Sequence, residues 1–477
     1  MSSPAARRGL AAVVPASAAL ALPAQASAHG IAQRADLPIP EWLFAWGAAL
    51  VLLLSFAALA LLWPQPRLEG LRERALLRVP RALELLVAAL GLAAFAAVVY
   101  AGLAGSQTAT SNLAPTSVFV IFWVGIPFAS VLLGDVFAAI SPWRTIARAV
   151  AWAATRFGTA QTPAPLPYPA RLGRWPAAAG ILLFAWFELV STGREDPGTI
   201  ALLALAYASI MLVGMALYGI HAWTRNADAF AVAFGLFALL APLRWENRRA
   251  HLRAPVAGAI AMPQAAGSMA LVCVMIGTTC FDGFAQGSAW TGADGLAQRF
   301  TDAFGELGFG LEAAVQLAYT AGLLGIVLLV SGLARAGMAG MGTVAGSGLS
   351  SQQLAQRFAH TLIPIAFAYV AAHYFSLLLF QGQALSFLVS DPLGEGSDLF
   401  GTASSTIDYG LISANGIWYV QVGVLVAGHV AGLALAHDRA LATWREPRAA
   451  TRSQLWMLAV MVAFTSIGLW LLSEASR

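Results

Sequence analysis

The chain contains no lysine; all 27 of its basic residues are arginine. That excludes Schiff-base chemistry and a lysine-dependent phosphate loop. Cysteine is almost absent as well, limited to Cys273 and Cys280. Seven residues apart on one predicted helix, their Cα atoms would be about 10 Å apart, too far for a disulfide. They read as small core residues. Charge is scarce: only 10% of the 477 residues are Asp, Glu, Lys or Arg, where a soluble protein carries about 25%. With 59% hydrophobic residues and a mean hydropathy of +0.72, a soluble globular domain is excluded. The sequence also lacks Gly-x-Ser-x-Gly, His-Glu-x-x-His, His-x-His and Cys-x-x-Cys, so no nucleophile elbow, zincin helix or thiol pair is signalled. His360/His373 and His429/His437 do not have the spacing of matched axial pairs for two haems. The glycine-rich stretch Gly337–Gly348 has no Lys-Ser/Thr ending and reads as a flexible connector. No internal repeat is visible, which withdraws support from an inverted-repeat transporter.

What the chain does have is a series of apolar runs near the roughly 20 residues needed to cross a bilayer core. The fold class expected is all-α: a polytopic transmembrane helical bundle. Arg7 and Arg8, the apolar run Leu10–Leu22 and the small-residue site Ala26-Ser27-Ala28 describe a signal peptide over 1–28. Ten spans follow: Trp42–Trp63, Ala82–Ala101, Val118–Ile140, Pro176–Val190, Ile200–His221, Ala265–Phe281, Ala313–Leu333, His360–Phe380, Ile417–Ala436 and Leu455–Leu472. They form a single domain over 29–477. The apolar segment near 229–241 is too short to cross and reads as re-entrant or interfacial. Loops 64–81, 141–174, 222–256, 334–359 and 437–454 hold 21 arginines, against four in the mature segments on the other side. Cytoplasmic loops carry the positive excess, so both mature ends are expected outside. The basic pI of about 9.3 then reflects arginines facing anionic lipid, not nucleic acid. The outer side, with 14 of the 23 acids, would attract cations.

Polar groups inside spans are costly, so they direct attention to function. His373 is placed about 10 Å below the outer boundary, between Gln421 at about 6 Å and His429 at about 18 Å on the neighbouring antiparallel span. Asp282 ends its span at the same outer face, beneath the loops 282–312 and 381–416. An imidazole and carboxylates in such a place suit a divalent metal ion or a proton site. The candidate metal ligands are His373, Asp282, His429, His29 and Asp391, and the candidate water-orienting bases are Asp398 and Asp408. If the chain is cut after Ala28, His29 becomes the first residue, and its amine and imidazole could grip one ion together. Asp135, Glu188, His360 and His437 read as structural groups at span ends.

Several stretches, "AHGIAQRADLPIPEWLFAWGAALVLLLSFAALALLWP", "LGDVFAAISPWRTIARA", "AHYFSLLLFQGQ", "DPLGEGSDLFGTA" and "YVQVGVLVAGHVAGLALAHDRAL", resemble bacterial multi-pass membrane proteins called fenitrothion hydrolases. The resemblance runs discontinuously from His29 to about Leu441 and brings no catalytic motif with it. It implies a protein of the bacterial cytoplasmic membrane that hydrolyses an apolar organophosphate triester. A metal that acidifies water and polarises the phosphoryl oxygen would suit that reaction. Two other classes compete: a non-enzymatic membrane protein that binds or passes a metal ion or small solute, and an assembly subunit whose polar groups are all structural.

Overall fold

The computed structural model describes residues 41–158, 165–344, 346–444 and 446–474. The expected signal peptide, His29 and Arg477 lie outside the described residues. The chain is an all-α bundle, about 74% helical. Its principal helices are α1 (Glu41–Leu62), α2 (Arg81–Ala104), α3 (Leu113–Leu133), α4 (Pro142–Phe157), α5 (Trp175–Leu189) and α6 (Pro197–Tyr218). They continue with α7 (Ala229–Ala238), α8 (Ser268–Gln286), α9 (Leu311–Gly342), α10 (Ile363–Gln381), α11 (Ala414–Leu441) and α12 (Pro447–Glu474). Among the described residues eight helical stretches are long and apolar enough to cross a membrane; Trp46–Leu62, α5 and α7 are shorter apolar helices.

Burial sorts these helices into layers. α8 is enclosed, with 83% of its apolar window buried, whereas α2 has none of its window buried. Leu83, Leu85, Leu86 and Leu90 of α2 are correspondingly exposed; in a bilayer such a face meets acyl chains. α7 is buried along most of its length. Asp228 caps its first turn by accepting from Ala231 N, and also accepts from Trp143 Nε1 (2.6 Å) and Tyr207 Oη (3.0 Å).

The third span departs from the expected Val118–Ile140. It begins earlier, at Leu113, and runs through a π-helical stretch, Thr116–Gly125, next to Pro127, which has no N–H to give the ordinary ladder. It stops at Leu133 because Gly134 takes a left-handed φ of 88°. A Cβ there would lie 2.6 Å from Leu243 O, so the turn and the close approach both require glycine. Asp135 then caps a separate short helix, Val136–Ile140.

A small antiparallel sheet, unforeseen in the sequence, joins β1 (Arg74–Arg78), β2 (Leu243–Glu246) and β3 (Arg249–Leu252) in the order β1-β3-β2. It brings two arginine-rich loops, 64–81 and 222–256, to one end of the bundle. Glu73 and Arg244 pair across it at 2.7 Å. The same end holds a clamp of three consecutive residues. Asp438 Oδ1 accepts from Trp63 Nε1 (3.2 Å), Arg67 N (2.6 Å) and Leu68 N (3.1 Å). The His437 ring nitrogens lie 2.9 Å from Trp63 O and Gln454 Oε1. Arg439 reaches Glu69 Oε1 (3.0 Å) and Ile260 O (2.9 Å). The opposite end gathers the arginine-poor loops. There Ser106 N donates to Leu393 O, Leu113 N to Pro392 O and Gly198 N to Gln107 Oε1.

Removing the Asp438 carboxylate leaves three donors without their acceptor. Each bond to a charged group is worth about 1.5–3 kcal/mol, and they overlap. Asp438→Ala is therefore expected to cost about 3 kcal/mol. The check is thermal unfolding in detergent, where the melting temperature should fall by several degrees. An unchanged melting temperature would contradict the clamp.

Candidate functional site

α10 begins on a proline, Pro364, in its first turn, a position where the missing N–H costs nothing. The helix then carries Tyr369, His373 and Tyr374 along the enclosed α8. Two turns from the arginine-poor end of the bundle, His373 Nε2 lies 2.8 Å from Asp282 Oδ2, and Tyr374 Oη donates to the same oxygen at 2.7 Å. Gln286, one turn beyond Asp282 on α8, donates to Asp282 Oδ1 at 3.2 Å. The Asp282 and His373 side chains are only 5% and 8% exposed. In so apolar a place an isolated carboxylate would be strongly disfavoured; three polar partners on its two oxygens offset that cost. Glu188, near the end of α5, lies close to Asp282 and Tyr374.

Beside the pair is a cavity of about 20 Å³, lined by Thr279, Cys280 and Gly283 of α8, Tyr369, Ala372 and His373 of α10, Leu425 of α11 and Gly468 of α12. That is room for about one water molecule. Four helices thus converge on a space with an imidazole, a phenol and a hydroxyl in its wall. Tyr369 Oη is held by Phe464 O at 2.6 Å, which fixes one side of the space. Cys273 and Cys280 are buried and free.

Two of the expected site residues therefore meet, His373 and Asp282, as a hydrogen-bonded pair joining α8 to α10. The others are placed elsewhere. His429 is fully buried on α11, its Nδ1 2.8 Å from Leu425 O of its own helix. Asp391 accepts from Glu395 N (3.1 Å) and Gly396 N (2.8 Å). Asp398 accepts from Ser390 Oγ (2.6 Å) and Ala403 N (3.0 Å), and Asp408 from Gly410 N (2.7 Å). These three carboxylates staple the loop that contains them. Among the described residues no group of three or more His, Cys, Asp or Glu could hold a metal ion. Of the expected ligands, the described residues bring only His373 and Asp282 into contact, as an acid–imidazole pair. Tyr374 and Gln286 were missed, although Gln286 at i+4 from Asp282 and Tyr374 beside His373 were both visible as spacings.

The pair can orient and move a proton. A carboxylate on one imidazole nitrogen fixes the tautomer and orientation of the ring, as required of a general base acting on water. Searches of family models, curated proteins and solved structures found no match to this chain.

The stapled loop gives a pH test. Burial opposes ionisation of Asp391, but backbone N–H groups of Gly396, Glu395, Ser397 and Gly394 hold its carboxyl below the usual aspartate range. The Ser390 hydroxyl and the Ala403 N–H do the same for Asp398. A depressed folded pKa stabilises the loop fully above the unfolded value, near 4, and that contribution is lost as pH falls through the folded value. Hydrogen exchange of 391–403 should show protection at pH 6 that is lost as pH falls through the folded pKa of these carboxylates, and Asp391→Asn should lower the protection at pH 6. Protection unchanged from pH 6 to 2 would contradict these staples.

Proposed function

We propose that this chain is a membrane-embedded hydrolase in which Asp282 orients His373 as the general base for water. Its substrate class is the apolar phosphotriester that the resemblance implies. The observation that carries the reading is the buried Asp282–His373 contact beside a cavity for one water. His373 takes a proton from that water. The water oxygen forms a bond to phosphorus, the bond from phosphorus to the aryl oxygen breaks, and the aryl oxide leaves with the electron pair. Asp282 stabilises the imidazolium until the proton departs. The cavity suits a water and not a triester, so the ester docks at its mouth, near the loop 282–312, arriving from the lipid. In this reading the arginine-rich end faces the cytoplasm and ten spans leave both mature ends outside. It is supported by the partition of loop contacts, since the sheet joins the arginine-rich loops 64–81 and 222–256 and Asp438 binds Arg67 and Leu68 of the first. A second reading, passage of a small solute or ion, is favoured by the depth and smallness of the same cavity.

The test is turnover of a chromogenic aryl dialkyl phosphate by purified protein in detergent. His373→Asn and Asp282→Asn should each lower kcat by about 10²–10⁴-fold with the folded yield maintained; Tyr374→Phe should cost less. A wild-type rate equal to background, or full activity in folded His373→Asn, would overturn the hydrolase reading.

A further inference from the structure

The seam between α10 and α11 holds three histidines at three depths. His373 is at the arginine-poor end, and His360, thirteen residues earlier, lies about 20 Å away along the helix axis. His429 is between them. Gly428 of α11 abuts Ala368 and Pro364 O, and Gly432 abuts Thr361 O, where an added Cβ would fall 2.3, 2.7 and 2.8 Å from those atoms. These glycines allow the two helices to touch and fix the register that sets His429 at mid-depth.

The two inner histidines share an unusual property. His429 is 0% exposed and His360 3% exposed, and the Nε2 atom of each has no hydrogen-bond partner. A buried acceptor without a donor is destabilising, and packing alone gives no reason to keep two of them in one seam. The His429 Nδ1 is committed to Leu425 O, so its Nε2 presents a lone pair. Leu425 and Tyr369 both line the water-sized cavity beside His373, and the Tyr369 and His429 rings are 6.1 Å apart. The outer histidine thus leads through one water site and a phenol to the second imidazole.

We propose that this seam carries protons across the bundle, from the Asp282–His373 pair through the cavity and His429 to His360. Each hop transfers one proton between a ring nitrogen and the neighbouring water or phenol, with no change in electron count. The groups facing the route are Asp282 and Glu188 at its outer end, which attract protons, and Tyr369 at its centre. At the inner end are Arg357 and Arg439; the Arg439 charge is partly offset by Glu69, 3.0 Å away. The route does not depend on hydrolysis of any ester.

The test reconstitutes the full chain into vesicles of phosphatidylethanolamine and phosphatidylglycerol with an entrapped pH dye. A potassium gradient with valinomycin imposes the potential, and no organophosphate is present. The wild type should move protons faster than protein-free vesicles, and His429→Leu should return the rate to the protein-free level. His429→Gln, which keeps a side-chain donor, replaces the leucine variant if that one fails to elute as a single folded species, and it too should lose flux. Thr279→Val, at the cavity wall, should lower the rate. A wild-type rate equal to that of empty vesicles, or full flux in the folded His429 variant, would overturn the proposal. Proton flux without ester turnover would overturn the hydrolase reading alone.

Discussion

A carboxylate held inside an apolar bundle is the constraint around which the centre of this molecule is arranged. Asp282 lies on the most enclosed helix, α8, and its Oδ2 atom is met by both His373 and Tyr374 from α10. These contacts tie α8 to α10, so a shift of one helix past the other would leave polar groups unpaired in a low-dielectric interior. The cavity follows from the same arrangement. Tyr369, one turn from His373, is bound to Phe464 O, and the space left between these anchored rings is lined by Thr279, Cys280 and Gly468.

The two ends of the bundle are organised by different chemistry. At the arginine-rich end, a three-stranded sheet and the His437-Asp438-Arg439 clamp tie distant loops together with charged and backbone hydrogen bonds. At the other end, acidic side chains turn inward on their own loop: Asp391 and Asp398 collect the N–H groups of tight glycine-containing turns. Carboxylates used in this way have their lone pairs directed at the backbone.

Much of the bundle was legible because a span needs about 20 apolar residues and little else. The meeting of Asp282 and His373 was legible from depth alone, since both lie near the same end of their helices. What escaped had physical reasons. The early stop of α3 at Gly134 depends on an approach to Leu243 O more than a hundred residues away. β1 is a five-residue strand whose partner, β3, is 170 residues distant, and its sequence, RALLR, carries no strand period. Asp438 was passed over because two of its three donors are backbone N–H groups of Arg67 and Leu68, which no side-chain pattern announces. The hydrogen bonds of the acidic loop were not legible because composition records how many carboxylates are present and says nothing of where their oxygens point. The bond of His429 to Leu425 O within its own helix was not visible in a reading by depth.

The central claim is that Asp282 and His373 act as one buried unit, and a double-mutant cycle on stability measures that most directly. Asp282→Asn, His373→Asn and the double variant would be unfolded in detergent under identical conditions. Residues coupled in one buried network show interaction energies of about 0.5–3 kcal/mol, and the account places this pair in the upper half of that range. Additivity within about 0.3–0.5 kcal/mol, the behaviour of independent sites, would contradict it.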